Sequence, residues 1–435
     1  MLINPLMVTE DDEVYEKNYE TDTDKVIGEI ITYLIANYSE YLSDININKR
    51  IVENLVREKV YKEYSNMNTE STIDAILNRL FGYHVLQKFI DDKEITDIRV
   101  TKYDNVFIKR SGIWQKTTTR FSNETDYINF VRYCVLKNGG KISNETPIVT
   151  CSDRKNNLRI EAGIEPVNVN APSLVIRIHR PNGISCIDDL SSDRIEMINN
   201  EIKEFLQKAM ISGCNIVISG KGGSGKATLM RNLINIIPED LSITSCEETA
   251  ELYSSHPNII QREIINNREK EKNITLADLT AHALVMSNDC IVVGELKGEE
   301  AMVFFDAVST GHRGYATVHS DSSKSTLDRL VTLMKRDIKA QMYTDKYLRK
   351  LLSNSLDIII YMNNFKVQEI TEVLYDKETD DIIYNSLFEF KIDKIEKGKS
   401  KGKFKKVGKP VGRIKEKFEV YKKEIERILN NGNAC

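Results

Sequence analysis

The stretch "GKGGSGKAT", Gly220 to Thr228, limits the fold of this chain more than any other. It has the G-x-x-x-x-G-K spacing of a phosphate-cradling loop, and it stands between two apolar runs, "ISGCNIVISG" and "ATLMRNLINII", the second stopped by Pro238. A strand that ends in glycine and opens a helix aims backbone N–H groups and the positive end of the helix dipole at one spot. The pattern therefore predicts strand, anion-binding loop and helix, with Gly220, Gly222, Gly223, Ser224, Gly225, Lys226, Ala227 and Thr228 as candidate nucleotide-binding residues. Ala227 is the departure, because such loops carry a Ser or Thr hydroxyl there as a magnesium ligand. Water can take that place in the magnesium shell at a cost of about 1–3 kcal/mol. Thr228 cannot, since the next residue on a helix points about 100° away.

Further apolar runs, "LSITSC" and "DCIVVGE", alternate with helical stretches and predict a parallel sheet flanked by helices. Glu295 emerges at the end of "CIVVGE", the edge where ligands bind in open α/β sheets, and a carboxylate there can hold a magnesium shell or orient water. The paired Glu247 and Glu248 of "CEETAEL" also follow a strand; one can serve as a base toward water or both can form a solvated turn. "STGHRGYATVHSD" holds His312 and His319 with no cysteine or acidic partner at metal spacing, which argues against zinc and leaves a histidine near the γ-phosphate able to sense its charge.

Before this region, apolar residues recur at helical spacing from Asp24 to Leu86, and short β-rich runs follow, broken by turn pairs such as Tyr103-Asp104 and Ser111-Gly112. "PNGISCIDDLSSD" has the turn formers of a linker. Beyond Phe390 the chain is lysine-dense and poor in apolar residues, which predicts a solvated, mobile tail; its rival role is to lie near anionic lipid. Lys and Arg number 61 against 65 Asp and Glu, so the net charge of −4 gives no reason to expect nucleic acid as a partner. The acidic N-terminus lacks the features of a secretory signal, and "VIGEIITYLIANY", interrupted by Glu29, falls short of the roughly 20 apolar residues of a membrane span. Seven cysteines without a C-x-x-C pair argue against a disulfide framework and fit a reducing cytosol, with Cys214, Cys246 and Cys290 as small buried hydrophobes.

Taken in order, four motifs resemble those of the secretion ATPase superfamily of type II and type IV secretion and pilus machines, and most closely the CpaF type of tight-adherence pili. They are the phosphate loop, "SCEETAEL" as acidic box, "IVVGELKG" as Walker B strand and "TGHRGYATVHSD" as histidine box. The resemblance implies an α/β fold: a RecA-like P-loop ATPase domain with a parallel sheet over 201–390, preceded by a helical domain over 1–90, an α+β, PAS-like domain over 91–180 and a linker over 181–200, with a basic tail over 391–435. It implies ATP and Mg2+ as ligands, a homo-hexamer, an inner-membrane platform protein as partner, no nucleic acid, and a cytoplasmic location peripheral to the inner face of the membrane. Lys226 would bind the β- and γ-phosphates, Glu247 would be the acidic-box base, Glu295 the Walker B carboxylate with an indirect hold on Mg2+, and His319 the histidine-box residue. Arg159 and Arg177 would reach the nucleotide from the N-terminal domain. Lys297 replaces the usual Walker B arginine, Glu248 replaces an aspartate, and Val285, Ser287 and Cys290 stand where arginines are common. These departures imply reduced hydrolysis, the alternative being a structural or regulatory subunit that binds ATP with weak or no turnover.

Overall fold

A computed structural model describes residues 22–430 apart from 44–47, 65–68, 111–112, 180–183, 185, 266–272 and 397–398. The acidic N-terminus and the expected turn at Ser111-Gly112 lie outside the described residues. The chain divides into two compact units, Met1–Arg180 and Pro181–Cys435.

The first unit begins with helices α1 (Asp22–Asn37), α2 (Ser39–Ser43), α3 (Lys49–Glu63), α4 (Thr69–Phe81) and α5 (Gln87–Asp91). Strands β1 (Ile95–Lys102), β2 (Asn105–Arg110) and β3 (Ile113–Lys116), helix α6 (Glu124–Lys137), and strands β4 (Ile148–Asp153), β5 (Leu158–Gly163) and β6 (Ser173–Ile178) follow. The six strands form one antiparallel sheet in the order β3-β2-β1-β6-β5-β4. Helix α6 has two apolar faces: Tyr127, Phe130, Val131 and Cys134 pack on the sheet, while Tyr133 joins the core of the helical layer. Its Lys137 ammonium is buried, donates to the Gly82 carbonyl at 2.6 Å and lies 3.5 Å from the Tyr83 ring centroid.

The second unit starts with α7 (Ile187–Ser191) and α8 (Asn200–Ile211), followed by β7 (Ile216–Gly220), α9 (Lys226–Ile234), β8 (Ile243–Glu247), β9 (Ile259–Glu263), α10 (Leu276–Leu284) and β10 (Cys290–Leu296). It continues with α11 (Glu300–Ser309), β11 (Arg313–Val318), α12 (Ser323–Met334), α13 (Asp345–Ser355), β12 (Ile358–Asn363), β13 (Lys366–Asp376), β14 (Asp381–Glu396), β15 (Lys399–Lys406), α14 (Arg413–Val420) and α15 (Lys422–Asn430). Nine strands make one sheet, β15-β14-β13-β12-β7-β11-β10-β8-β9, parallel from β12 to β9 and antiparallel from β12 to β15. The central strands are buried on both faces, as parallel strands covered by helices must be. Their side chains alternate between two cores, Ile216 and Ile218 facing one and Val217 the other, with Val292 set against Ile291 and Val293 in the same way.

Two expectations are corrected here. The stretch 181–200, read as a linker, carries α7 and places Ile187, Leu190, Met197 and Ile198 in a core. The segment beyond Phe390, read as a mobile tail, pairs as β14 and β15 and ends in two docked helices. Ile414 and Ile425 are buried in the same core, and Phe418, Tyr421, Ile428 and Leu429 pack against it. Arg413 and Lys417 from α14 converge on the buried carboxylate of Asp357, Arg413 Nε donating to Oδ1 at 2.9 Å and Lys417 Nζ to Oδ2 at 2.7 Å. The Asn215 N–H, just before β7, donates to the same Oδ2 at 2.8 Å. A carboxylate taken out of water needs such partners, so the last helices are tied electrostatically to the base of the sheet. Cys214, Cys246 and Cys290 are buried free thiols as expected, whereas Cys186 is disulfide-bonded.

Truncation after Lys406 should lower the unfolding midpoint in urea by several kcal/mol equivalent, because it uncovers the core under Ile414 and Ile425 and strips Asp357 of both cations. An unchanged midpoint would show that the helices add nothing to the body. Arg413→Ala alone should cost about 1–3 kcal/mol, the value of a charged hydrogen bond.

Candidate functional site

Strand β7 is held between β12 and β11, with Gly220 in register with Met362 and Ser219 with Val318. The chain then turns through Lys221–Gly225 into α9. Gly220, Gly223 and Gly225 all have positive φ, at 149°, 73° and 96°. A side chain is excluded at two of them by space as well: a Cβ on Gly220 would collide with the Met362 carbonyl, and one on Gly225 would meet the Phe365 ring at 2.9 Å. The loop wraps the Lys226 ammonium, which donates to the carbonyls of Gly220 at 2.9 Å and Lys221 at 3.1 Å. Burial lowers the Lys226 pKa, against the pull of Glu295 and Glu251. Ser224 Oγ is buried without a partner. The Ala227 methyl group packs against the apolar core.

The other candidate groups arrive on neighbouring parallel strands. His319 follows β11, Glu295 lies near the end of β10, and Glu247 ends β8 with Glu248 next in the chain. His319 Cε1 is 3.6 Å from where a Cβ on Gly222 would stand, so the imidazole lies against the phosphate loop. Its Nε2 is 2.6 Å from Glu295 Oε1, an ion-pair distance out of hydrogen-bond alignment. Burial lowers the His319 pKa; Glu295 opposes this, and Lys226 and Lys297 reinforce it. Lys297 Nζ bridges two carboxylates, at 2.6 Å from Glu248 Oε2 and 3.3 Å from Glu295 Oε2. Burial disfavours its charge, but the two carboxylates outweigh burial and raise its pKa. The Lys297 N–H and the Gly298 N–H both donate to the buried Glu300 carboxylate, which fixes the turn after β10.

Glu247 differs from its neighbour. It is 2% exposed, and its Oε2 accepts from the N–H groups of Glu251 at 2.8 Å and Leu252 at 3.0 Å, while Oε1 has no partner. Burial pushes its pKa up to about 7 despite those two hydrogen bonds. The acidic pair thus separates into a buried Glu247 whose pKa burial raises and a half-exposed, ion-paired Glu248.

Gly294 is a residue that the sequence reading passed over. A Cβ there would lie 2.8 Å from Glu247 Cγ, so only glycine lets the buried carboxylate pack on β10. The Thr317 hydroxyl donates to the Gly294 carbonyl. The signal was the G-E pair closing "IVVGE". Lys297 was read only as a replaced arginine, and its two-carboxylate bridge was not legible. His312 is not brought to this cluster; its Nδ1 is 3.1 Å from the Ala307 carbonyl. Val285 is exposed at the end of α10, whereas Cys290 is buried in β10, where a guanidinium would have no water. Arg159 and Arg177 belong to the first unit. They face each other across β5 and β6, and Arg177 Nε donates to Asp97 Oδ1 at 3.2 Å.

A glycine loop between a parallel strand and a helix, with carboxylates and an imidazole on the adjacent strand ends, defines a P-loop nucleotide-binding protein. The chain belongs to the type II/IV secretion system protein family, whose model matches residues 144–379. It is 26% identical over 337 residues to the type IV secretion system protein VirB11 of Brucella suis, covering 71% of this chain and 93% of that one. An uncharacterized protein of Methanocaldococcus jannaschii is 32% identical over 202 residues, 45% of this chain and 72% of its own length. Among solved structures, the pilus retraction motor PilT with bound ADP gives a TM-score of 0.49 at 18% identity, covering 80% of this chain and 88% of that one. The Legionella pneumophila ATPase DotB gives 0.46 at 18% identity, with 71% and 79% covered.

The state of Glu247 has a measurable consequence. A carboxyl group whose folded pKa is raised stabilises the fold below its unfolded pKa, and that contribution is lost as pH rises through the folded value, here between about 4.5 and about 7. Glu247→Gln keeps an oxygen for the Glu251 and Leu252 N–H groups. It should therefore melt above the parent at pH 8, by up to about 3 kcal/mol, with the gap closing toward pH 5. A gap equal at both pH values would show that Glu247 does not hold a proton.

Proposed function

We propose that this chain is the ATPase subunit of a pilus-assembly or type II/IV secretion machine, cytoplasmic and peripheral to the inner face of the membrane. The observation that carries the reading is the convergence of Lys226, His319, Glu295, Lys297 and Glu248 on successive strand ends beside the phosphate loop. The residues fit ATP with Mg2+: the glycine positions leave a cradle that a Cβ would fill, and Ser224 and Glu247 each keep a buried oxygen without a partner. Loop N–H groups from Gly222 to Thr228 bind phosphate, and Lys226 exchanges its two loop carbonyls for phosphate oxygens. When bound, Mg2+ would draw charge from the transferring phosphoryl group, held indirectly by Glu295 and with water where Ala227 lacks a hydroxyl. Glu247, poised near neutral pH, takes the proton of the attacking water. His319, beside the loop, responds to the charge at the γ-phosphate. The chain works as a homo-hexamer on an inner-membrane platform protein, with Arg159 and Arg177 as the arginines that ATP-coupled assembly would use.

Ala227 favours a second reading. Its methyl group sits against the apolar core and offers nothing to a metal shell. A subunit that binds ATP to order its ring, with weak or no turnover, uses the same loop and lysine.

Turnover by the purified protein decides between them. Ala227→Thr should raise kcat about tenfold, the effect of regaining a ligand worth ~1–3 kcal/mol, and Glu295→Gln should abolish it. Hydrolysis by Glu295→Gln at the parent rate would remove that carboxylate from the mechanism. Mass by light scattering should rise toward six copies in ATP and Mg2+, with Arg159→Ala weakening the assembly. A protein that stays monomeric in ATP overturns the ring.

A further inference from the structure

The nucleotide site leaves the lysine-dense segment without a role. Its form is a two-stranded ribbon, the outer half of β14 paired with β15 in the register Phe388↔Lys406, Phe390↔Phe404, Lys391↔Lys403 and Lys394↔Lys401. Side chains alternate across a strand, so one face carries Phe388, Phe390, Ile392 and Phe404 and the other Lys391, Lys401, Lys403 and Lys405, and a register shift between Ile392 and Lys394 sets Lys394 opposite Lys401. Near the body the apolar face is covered: Phe388 and Phe390 are buried, and the Phe390 and Phe404 rings lie 4.9 Å apart. Farther out, Lys391, Ile392, Asp393 and Lys394 are all exposed, Ile392 by 49%, so both faces of the ribbon meet solvent there.

Two rows set lysine opposite lysine, Lys391 against Lys403 and Lys394 against Lys401, before the ladder ends with Glu396 opposite Lys399. Like charges at facing positions oppose strand pairing, and among the described residues Lys391 and Lys403 enter no ion pair. Lys405 faces Glu389, which in turn faces Glu369, so carboxylates offset the inner end of the ladder, while toward the outer end Lys391, Lys394, Lys399, Lys401 and Lys403 outnumber Asp393 and Glu396. This charge sits on a chain whose net charge is −4. The ribbon also lies beyond residue 379, where the family match stops.

We infer that the ribbon docks on anionic lipid headgroups, with Lys391, Lys394, Lys401 and Lys403 facing the lipid phosphates. The ladder contains no arginine, whose fork would mark bidentate recognition of a defined carboxylate or phosphate. Its aromatic rings are turned to the other face, leaving no platform on which bases could stack. Flexible point charges spaced along a strand pair match a fluid array of monovalent phosphates, where long lysine stems bury while their heads stay wet. The inference rests on the peripheral-membrane part of the proposed function and not on ATP turnover.

The test is co-sedimentation of the full chain with vesicles of phosphatidylcholine alone and with added phosphatidylserine. Binding should require phosphatidylserine and fall with salt. Replacing Lys391, Lys394, Lys401 and Lys403 together by Gln should weaken it by roughly several hundred-fold, at about fivefold per lysine. Replacing the same four by Arg should keep binding, and the melting temperature of both variants should match the parent's. Equal binding to neutral vesicles, parental binding by the Gln variant, or tighter binding to polyglutamate or to an oligonucleotide than to anionic vesicles overturns the assignment. ATP turnover on the same samples separates the two readings: lipid binding without turnover contradicts the catalytic reading and supports the ribbon, and turnover without lipid binding does the reverse.

Discussion

The position of β7 sets the geometry of everything around the phosphate loop. It is paired on both sides by parallel strands, and its last residue is pressed so closely to the Met362 carbonyl that only glycine fits. With the start of the loop fixed in this way, the order of strands becomes the order of chemistry. The neighbour β11 delivers His319, the next strand β10 delivers Glu295, and β8 delivers Glu247 and Glu248. A shift of β7 by one residue would exchange its two core faces and move the loop from its partners at once.

The acidic groups are kept from repelling one another by different means. Glu247 is set apart by burial, which favours its neutral form, and Gly294 gives it room. Glu248 and Glu295 stay at the solvent edge with Lys297 between them. Lysine in that place is a compact charge on a flexible stem, so its hold on either carboxylate can change without moving the strands. The cluster is thereby nearly balanced in charge and still open to rearrangement.

Much of this was legible in the sequence because the nucleotide half of the chain repeats one local grammar, an apolar strand, a polar turn carrying chemistry, and an apolar-periodic helix. "NIVISG", "ITSCE" and "CIVVGE" announce their strands by β-branched runs, and the residues that follow them are the site. The fold at the end of the chain is hidden because lysine density is equally the mark of a solvated, disordered segment. In β15 the apolar signal is a single Phe404 between lysines, too sparse for a period of two to show. In the last helices the signal was present: Ile414, Phe418, Tyr421 and Ile425 fall at spacings of one helical face. The partner that makes their docking necessary, Asp357, could not be inferred, since it lies 56 and 60 residues from Arg413 and Lys417. The split fates of Glu247 and Glu248 were also beyond the sequence, because adjacent identical letters carry no record of which one the sheet covers.

Asp357 has a consequence for how the protein is made. It immediately precedes β12, the strand that flanks β7, yet the cations that neutralise it arrive only after another 56 to 60 residues. On the ribosome, the sheet around the phosphate loop is therefore complete in sequence while a carboxylate at its base still has to stay in water. The nucleotide-binding unit closes last at its floor, and a nascent chain stalled before α14 presents to chaperones and proteases a sheet that already has its loop but not its lock.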